Sequence, residues 1–298
     1  MRHTIVPTVP IDPAKTKVAL KKCKENGVSI ANALFALCGI SWSRLMAEKG
    51  DAAKRDLPLW VETIPEKVTV KTDETFWYRM MYSALNLRPY LLPPSGTETD
   101  SYWFLAVGYF NVVLPSFLPS IPANSESESG STSPVSDAVR RTFWHRAREA
   151  KRQSTKAAKH PLLVSRTREM ALERGIRART WAREDDEKEL GIVSEVKPVV
   201  AAPVQLAARA KAPSTALMGL SLLGNLDGMY HHASYPAITL HTLTTGSRQR
   251  AGGMLLFGYT FAGRLWLSLG YDEEGFEPET VKKWWEGVLN GINEFLLD

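Results

Sequence analysis

Apolar and β-branched residues cluster between Thr215 and Asp272, in runs that Gly, Asn, Asp or Pro interrupt. In order, the runs are TALMGLSLLGNLDGMY, PAITLHTLTT and GGMLLFGYTFAGRLWLSLGYD. Runs of this kind, bounded by turn-forming residues, are typical of β-strands. Ala262 and Gly263 divide the last run into two apolar halves, and glycine readily adopts the positive φ that a two-residue turn requires. The pattern predicts three or four strands, with the last two joined as a hairpin.

Helical patterns occupy both ends of the chain. Asp12 and Pro13 predict a helix start, because aspartate accepts hydrogen bonds at an N-cap and proline suits the first helical position. Gly27 is the expected end of that helix. Ser29 can cap a second helix over residues 30–48, which is apolar nearly all round and is therefore expected to be deeply buried. A closing helix over residues 278–297 carries one apolar stripe, formed by Val281, Trp284, Val288, Ile292 and Phe295.

The middle of the chain alternates between strand-like, polar and basic stretches. Residues 67–87 and 101–114 are predicted strands, because they are rich in aromatic and aliphatic residues and end near prolines. The Ser-rich stretch from 121 to 134 is a predicted mobile surface loop, and residues 184–213 are a predicted exposed insertion. Residues 135–181 predict a long basic helix or a helix pair.

Positive charge is concentrated in this basic stretch, which His160-Pro161 is expected to break. The net charge of the whole chain is +5, but residues 140–183 hold 14 Lys and Arg against 3 Glu, a local charge of +11. The rest of the chain therefore carries −6. A basic face of this size either attracts an anionic ligand or is simply solvated.

Length and composition indicate a globular protein. With 298 residues, 44% of them hydrophobic, the chain can bury a substantial core. Cys23 and Cys38 lie in one helical stretch without a second Cys/His cluster, which argues against a metal site or a disulfide framework. No signal-peptide pattern and no run of about 18 apolar residues is present. We expect a cytoplasmic protein without a membrane span or a bound metal.

Three strings in the C-terminal part carry a family resemblance. GNLDG, LHTLTTG and LLFGYTFAGRLWLSLGYDE, followed by the apolar-faced helix, resemble the C-terminal lobe of chloramphenicol-acetyltransferase-like acyltransferases. The most similar branch is the fungal one with trichothecene 15-O-acetyltransferases and alcohol acetyltransferases, while condensation domains and plant BAHD acyltransferases are more distant. The resemblance implies an α/β fold, with a mixed, mostly antiparallel sheet packed by helices. The resemblance covers residues 12–298, which it assigns to the lobe. Residues 1–11 are rich in Val, Thr and Pro without a period, which predicts a lead-in or crossover segment.

The catalytic signature of that family, His-x-x-x-Asp, is absent from the chain. In the family, its histidine is the general base that takes the hydroxyl proton during acyl transfer. Only His145 has an acidic residue four positions on, Glu149, and within a helix that spacing simply places both on one face. The pair His231-His232 resembles the start of a condensation-domain motif, but Ala-Ser-Tyr-Pro follows it instead of Asp-Gly. No catalytic residue is therefore predicted in this chain.

Three short motifs resemble parts of the family's active-site channel. Asn86 and Arg88 match an Asn/Asp-x-Arg strand end, and Tyr109 and Asn111 match a Tyr-Phe-Gly-Asn motif whose glycine is missing here. The stretch SLLGNLDG lies where plant relatives carry Asp-Phe-Gly-Trp-Gly. Polar residues at strand ends either line the channel or satisfy backbone groups, and both roles stay open. The candidates are Asn86, Arg88, Tyr109, Asn111, Ser221, Asn225 and Asp227.

The basic stretch allows three interpretations. Coenzyme A carries several phosphates, so basic residues beside the channel can attract it, with Arg148 and Arg152 as the candidates. Nucleic acid is disfavoured, because the helix over residues 30–48, the second of a helix-turn-helix-like pair, has almost no polar face for base edges. A solvated basic face is the third interpretation.

The resemblance implies transfer of an acyl group, acetyl being the expected one, from an acyl-coenzyme A to a hydroxyl of a secondary metabolite. The implied partner is an N-terminal lobe that carries the catalytic histidine, on the same or a separate chain. This chain alone is then expected to be inactive. Truncation, a split gene and an incomplete gene model all fit the missing half. The alternative is a non-catalytic binding or interaction module derived from the lobe.

Overall fold

The computed structural model describes residues 3–49, 78–91, 106–115, 137–191, 216–230, 232–250 and 252–297. Its strands are β1 (Thr4–Ile5), β2 (Thr8–Ile11), β3 (Tyr78–Asn86), β4 (Val107–Pro115), β5 (Ala216–Asn225), β6 (Met254–Phe261) and β7 (Arg264–Asp272). Its helices are α1 (Pro13–Glu25), α2 (Ile30–Lys49), α3 (Asp137–Ala158), α4 (Leu163–Glu189) and α5 (Pro278–Ile292), which a π-helical turn, Asn293–Leu297, extends. The predicted loop at 121–134, and residues 67–77, 101–105 and 192–213 of the predicted strands and insertion, lie outside the described residues.

One mixed sheet contains these strands in the order β1-β7-β6-β5-β3-β4, with β2 also paired to β7. β5 runs parallel to β3 and to β6, and the other pairs are antiparallel. The predicted fold class, a mixed and mostly antiparallel sheet packed by helices, is confirmed. The N-terminal residues that were expected to form a lead-in segment supply β1 and β2 at one edge of the sheet.

The hairpin between β6 and β7 is also confirmed. Phe261 pairs with Arg264, and Ala262 and Gly263 form the turn with φ angles of 51° and 67°. Positive φ at both central positions matches the right-handed twist of the flanking strands, and glycine adopts it without strain. This local turn sets the register of two strands whose residues are almost all buried.

The first two helices begin where their sequences predict. The Asp12 carboxylate accepts a hydrogen bond from the backbone N–H of Ala14 at 2.8 Å, which caps α1. At the start of α2, the Ser29 hydroxyl accepts a hydrogen bond from the backbone N–H of Asn32 at 3.3 Å. Both bonds satisfy donors that the first turn of a helix leaves open.

The main core lies between four helices and one face of the sheet, here called the inner face. Apolar residues of β3 to β7 pack there against α1, α2, α3 and α5 in one continuous cluster. α2 is buried nearly all round, as predicted. Trp284 of α5 is fully buried and donates its indole N–H to the backbone carbonyl of Cys38 in α2 at 3.2 Å. The whole predicted stripe of α5 belongs to this core: Val281, Trp284, Val288, Ile292 and Phe295.

By length and composition, α2 is the described helix that could cross a membrane. Most of its residues are buried inside the protein, among them Phe35, Leu37 and Trp42. A core helix that other elements surround needs this apolar composition on every side.

The opposite face of the sheet, here called the outer face, has a different cover. Residues 232–250 cross it, and Leu243 packs there against a small cluster that includes Tyr259, Phe261 and Trp266. The Tyr259 hydroxyl donates a hydrogen bond to the Leu243 carbonyl. This part of the outer face is therefore covered by an irregular segment rather than by a helix.

α4 also reaches the outer face. Its contact residues recur at intervals of seven, which is close to two helical turns, so a single stripe of the helix faces the protein. The remainder of α4 is mostly exposed. Arg174 contacts Tyr109 on the outer face, Trp181 contacts Arg250 of the irregular segment, and Thr167 lies beside Gly108, which alternates with Tyr109 along β4.

Two elements differ from the sequence predictions. The prediction of a strand in the run PAITLHTLTT (236–245) is wrong, because these residues form no ladder with the described strands and are mostly exposed. A strand pattern concerns side chains, whereas a strand also needs a neighbour for its backbone groups. The predicted break at His160-Pro161 does separate α3 from α4, but α4 continues to Glu189, through the first residues of the expected insertion.

Candidate functional site

Two tyrosines and one arginine form a cluster on the outer face, here called the tyrosine–arginine cluster. Alternation along β3 and β4 places Tyr82 and Tyr109 on this face, because their neighbours Met81 and Phe110 pack into the main core. The two phenol rings meet edge to face, with their centroids 6.2 Å apart. The Arg174 guanidinium lies 3.7 Å from the centroid of the Tyr109 ring, a favourable cation–π contact.

Close packing holds Tyr82 in this cluster. A Cβ atom on Gly219 of β5 would overlap the Tyr82 ring, so glycine is required for the ring to lie against the sheet. Burial raises the pKa of the Tyr82 phenol, Tyr109 raises it further, and Arg174 partly offsets both. Tyr82 therefore stays protonated at neutral pH, where it donates a hydrogen bond and does not act as a base.

Three of the predicted site residues share this outer face. Tyr109 belongs to the cluster itself, exposed Asn111 lies opposite Tyr82 on β4, and Ser221 follows two residues after the glycine on β5. The sequence analysis missed Tyr82 and Arg174. Tyr82 could have been found from strand alternation, whereas Arg174 is one of many arginines on a basic helix and carries no distinguishing signal.

Asn86 and Arg88 lie where β3 ends. The carboxamide oxygen of Asn86 accepts a hydrogen bond from the backbone N–H of Arg88 at 3.0 Å, and a short 3₁₀ helix, Arg88–Tyr90, follows. Both residues are exposed. Since β3 and β5 are adjacent and parallel, their carboxyl ends lie side by side, so Asn86 and Arg88 are at the same end of the strands as Asn225. Asn86 thus shapes the turn that presents Arg88 at this edge.

Asp227 connects the end of β5 to the β6–β7 turn. Its Oδ1 accepts a hydrogen bond from the backbone N–H of Ala262 at 2.6 Å, and its Oδ2 accepts one from Gly263 at 3.0 Å. The Nε2 of His232 lies 3.0 Å from Oδ1. Asn225 is two residues earlier, and its Oδ1 accepts a hydrogen bond from a hydroxyl on β6, 3.2 Å away.

The environment of Asp227 favours its charged form. Burial alone would raise its pKa, but the hydrogen bonds from Gly263, His232 and Ala262 outweigh burial and hold the pKa below the usual value. The carboxylate therefore accepts bonds from the turn and from an imidazole at once. The sequence analysis did not foresee the His232 contact, because a spacing of five residues in an irregular loop has no periodic signal.

Arg148 and Arg152 lie on α3, in the helical layer against the inner face. Both are exposed. Arg152 donates to the two carboxylate oxygens of Glu149 at 2.6 and 2.8 Å, and this bond lowers the pKa of Glu149. The two arginines are therefore on the opposite side of the sheet from the tyrosine–arginine cluster.

An open cleft borders the same region of α3. Its volume is about 540 Å³, and it lies between the α1–α2 turn and α3. Lys151 at its rim donates to the Gly27 carbonyl at 2.6 Å, and buried Asn32 bonds to Ser29. The polar groups of this cleft are thus partly engaged in joining α3 to the turn.

The described residues contain no group of three His, Cys, Asp or Glu side chains that could hold a metal ion. Burial raises the pKa of Cys23 to about 12 and raises the pKa of Cys38 as well, so neither thiol is a ready nucleophile. Glu149, the residue four after His145, is bonded to Arg152 and Gln153. The described site thus supplies hydrogen-bond donors and a cation.

No protein-family model and no curated protein matches the sequence. Among solved structures, the trichothecene 15-O-acetyltransferase TRI3 from Fusarium sporotrichioides matches with a TM-score of 0.58 and 11% identity, over 99% of this chain and 48% of that one. The epimerization domain from the third module of tyrocidine synthetase B has a TM-score of 0.49 and 12% identity, over 99% and 48% of the two chains. The PapA2 acyl transferase has a TM-score of 0.45 and 10% identity, over 99% and 44%.

The chain spans about half the length of each of these three solved structures. At 11% identity, the likeness to the trichothecene acetyltransferase is a likeness of fold. The arrangement of one mixed sheet and its helices therefore corresponds to about half of an acetyltransferase structure.

Proposed function

We propose that this chain is the C-terminal lobe of a two-lobed O-acyltransferase. The enzyme transfers an acyl group from acyl-coenzyme A to a hydroxyl of a small molecule, and acetyl is the expected acyl group. The observation that carries the proposal is the fold match over 99% of this chain and 48% of the trichothecene acetyltransferase. Such coverage is expected when one of two lobes of similar size is present.

The chemistry of the described site is in keeping with this role. Acyl transfer to a hydroxyl needs a general base, and also donors that stabilise the tetrahedral oxyanion. Tyr82, Tyr109 and Arg174 supply donors on one surface, while Asp227 is engaged by the β6–β7 turn. In the proposed enzyme this lobe lines the substrate channel, and the base comes from the N-terminal lobe.

The experiment that tests the proposal pairs the two lobes. About 200 residues containing His-x-x-x-Asp are sought upstream of this reading frame and co-expressed with this chain, and acetyl-coenzyme A consumption is measured with a panel of alcohols. The chain alone is expected to show no turnover, because a general base contributes about 10²–10⁴-fold. Turnover by the chain alone that is lost on replacing one of its own histidines would contradict the missing base.

Coenzyme A binding to the two-lobed enzyme tests the basic helix separately. If α3 faces the phosphates, the double change Arg148→Glu and Arg152→Glu weakens binding by about tenfold at low salt, and less as salt screens the charges. The matched control is Arg166→Glu with Arg179→Glu on α4, which changes the net charge equally at two exposed positions. Equal affinities for both double variants would leave α3 as a solvated basic face.

The second candidate is a non-catalytic binding or interaction module. The bonds of Asp227 favour it, because a residue of the proposed channel serves to hold the fold. A stable chain that binds no coenzyme A with any upstream lobe, and that supports no acyl transfer, would select this candidate.

A further inference from the structure

The cleft between the α1–α2 turn and α3, here called the turn cleft, has a basic lining. Its volume is about 540 Å³, and none of the eight residues that line it is acidic. Lys24 and Lys151 supply two positive charges to its walls. A cavity lined by cations and polar groups, with no carboxylate among them, attracts an anion rather than an apolar ligand.

Both lysines are held at the same turn and keep hydrogen-bond donors free. The Lys151 ammonium donates to the Gly27 carbonyl at 2.6 Å, which uses one of its three N–H groups. Lys24 belongs to the turn itself, because the Gly27 N–H donates to the Lys24 carbonyl at 3.0 Å. Within the part of the chain that the structure describes, neither ammonium pairs with a carboxylate. Their charges are therefore available to a ligand.

A buried asparagine supplies a further donor to the turn cleft. Asn32 is 7% exposed, and its Oδ1 accepts hydrogen bonds from the Ser29 N–H at 3.0 Å and from the Ser29 hydroxyl at 2.7 Å. Because a backbone N–H can only donate, these bonds assign Oδ1 to the Ser29 side and Nδ2 to the other side of the amide. Nδ2 donates to no described residue and is not enclosed by protein. Since Asn32 lines the cleft, its amide N–H groups face the cleft.

The start of α2 and a hydroxyl of α3 add to the same lining. Ser29 caps this 20-residue helix and also lines the cleft. The N-terminus of a helix carries a partial positive charge, which favours an anion beside its first turn. Thr155 of α3 contributes a hydroxyl that bonds to no described residue. Two cations, an amide and a hydroxyl thus line one cavity.

We propose that the turn cleft is a binding site for a phosphate group, free or attached to a small molecule. A phosphate ester carries about −1.5 to −2 charge at neutral pH and has three strong acceptor oxygens, so it matches two ammonium groups and several N–H and O–H donors. A carboxylate, with one charge and two oxygens, matches this set less well. The cleft is larger than a phosphate ion, so an attached organic group fits as well. The inference does not depend on the proposed acyl transfer, because it uses the residues of the cleft alone.

Calorimetric titration of the full chain with inorganic phosphate at low ionic strength tests the site. We expect saturable binding with a Kd of about 1 mM, and binding of acetate at least about tenfold weaker. The nuclear magnetic resonance signal of the Asn32 side-chain amide should shift as phosphate binds. A titration in which acetate binds as tightly as phosphate would overturn the assignment to phosphate.

Two variants remove different donors from the turn cleft. Lys24→Gln removes one charge and no described side-chain bond, so it should weaken phosphate binding by about tenfold. Asn32→Asp keeps an acceptor for Ser29 but replaces the amide N–H groups by a negative charge, so it should weaken binding by at least about tenfold. Asn32→Asp is expected to fold, because a carboxylate is favourable in the first turn of a helix.

The matched control is Lys17→Gln. It makes the same charge change at an exposed lysine on the same face of α1, about 10 Å before Lys24 and outside the cleft. The control should bind phosphate as the unchanged chain does, and far-ultraviolet circular dichroism confirms that all variants are folded. The proposal is overturned if no saturable binding is found up to about 20 mM phosphate. It is equally overturned if Lys24→Gln and Asn32→Asp bind phosphate as tightly as the control.

Competition experiments distinguish two sources of the phosphate group. Coenzyme A carries a phosphate monoester on its ribose, which dephospho-coenzyme A lacks. If coenzyme A displaces inorganic phosphate and dephospho-coenzyme A does not, the turn cleft takes that monoester. If neither displaces it, the site takes phosphate from another source. Both results support the site, and neither depends on turnover, so they are independent of the test of acyl transfer.

Discussion

The inner and outer faces of the sheet are built on the same strands but have different partners. Four helices cover the inner face, and their side chains form one continuous apolar cluster. On the outer face the buried cluster is small, and α4 makes single contacts elsewhere, with Tyr109 on the sheet and with Arg250 of the irregular segment. The difference separates two tasks: the inner face holds the fold, while the outer face and the adjoining sheet edge carry exposed polar and aromatic groups.

The largest difference in the free energy of unfolding is expected between variants of two tryptophans, one on α5 against the inner face and one on α4. Trp284→Ala should lower the free energy of unfolding by about 3–5 kcal/mol, because it opens a cavity in the main core and removes the bond to Cys38. Trp181→Ala on α4 should lower the free energy of unfolding by about 1 kcal/mol, chiefly because it removes the cation–π contact with Arg250. Urea denaturation of both variants measures the two values.

If the two tryptophan variants lose comparable free energy of unfolding, the contrast between the two faces is wrong, because α4 would then contribute to the fold as strongly as α5 does. A change in the denaturant slope is checked at the same time. An altered slope would signal a less compact native state rather than a local loss.

Local chemistry explains which parts of this layout are predictable from sequence. The helix start at Asp12, the cap at Ser29 and the turn at Gly263 depend on neighbours within a few residues, so their patterns predicted them correctly. Residues 236–245 were predicted as a strand from their side chains, but strand formation depends on a partner that the pattern does not specify.

The candidate site shows the same limit. The resemblance pointed to Tyr109 and Asp227, but not to the residues that contact them, Arg174 and His232. The first contact joins a strand to a helix far along the chain, so it depends on how the two elements pack. The second joins two residues of one irregular loop, where a spacing of five residues has no periodic signal.

Two glycines give a smaller version of the same comparison. A Cβ on Gly258 would lie 2.9 Å from Leu222 and 3.1 Å from Leu34 of α2, so Gly258→Ala should cost about 1–3 kcal/mol by overpacking the inner face. Gly219→Ala should lower the free energy of unfolding by less than about 1 kcal/mol, because the added Cβ would meet only the outer end of the partly buried Tyr82 ring, which can shift. Thermal unfolding of both variants tests the order, and a larger loss for Gly219→Ala would reverse it.

Just after the end of β5, Asp227→Asn should lower the free energy of unfolding by about 1–2 kcal/mol at neutral pH. The charged carboxylate accepts bonds from Ala262 and Gly263, and its partial exposure, 29% of the side chain, reduces their worth. Because folding lowers the pKa of Asp227, its contribution is present above the unfolded-state value of about 3.9 and disappears as pH falls through the folded-state pKa.

Urea titrations at neutral and acidic pH check this sign. The gap between the unchanged chain and Asp227→Asn should close as the pH is lowered. Asp186→Asn, at an exposed position on α4, serves as the control and should stay within about 0.5 kcal/mol. A gap that persists unchanged in acid would mean that the amide disturbs the turn by its shape and not by its charge.

The smallest effect on stability is expected for a substitution in the tyrosine–arginine cluster. Arg174→Gln should lower stability by about 0.5–1 kcal/mol, because it removes an exposed cation–π contact with Tyr109. It should also raise the pKa of Tyr82 further, since burial and Tyr109 raise that pKa already and Arg174 opposes them. A raised pKa means that the neutral phenol stabilises the fold below the unfolded-state value of about 10, and that this stability is lost as pH rises through the folded-state pKa. Absorbance titration of tyrosinate, with Tyr82→Phe to identify the signal, measures the shift. An unchanged Tyr82 titration in Arg174→Gln would show that α4 does not hold its guanidinium over the outer face in solution.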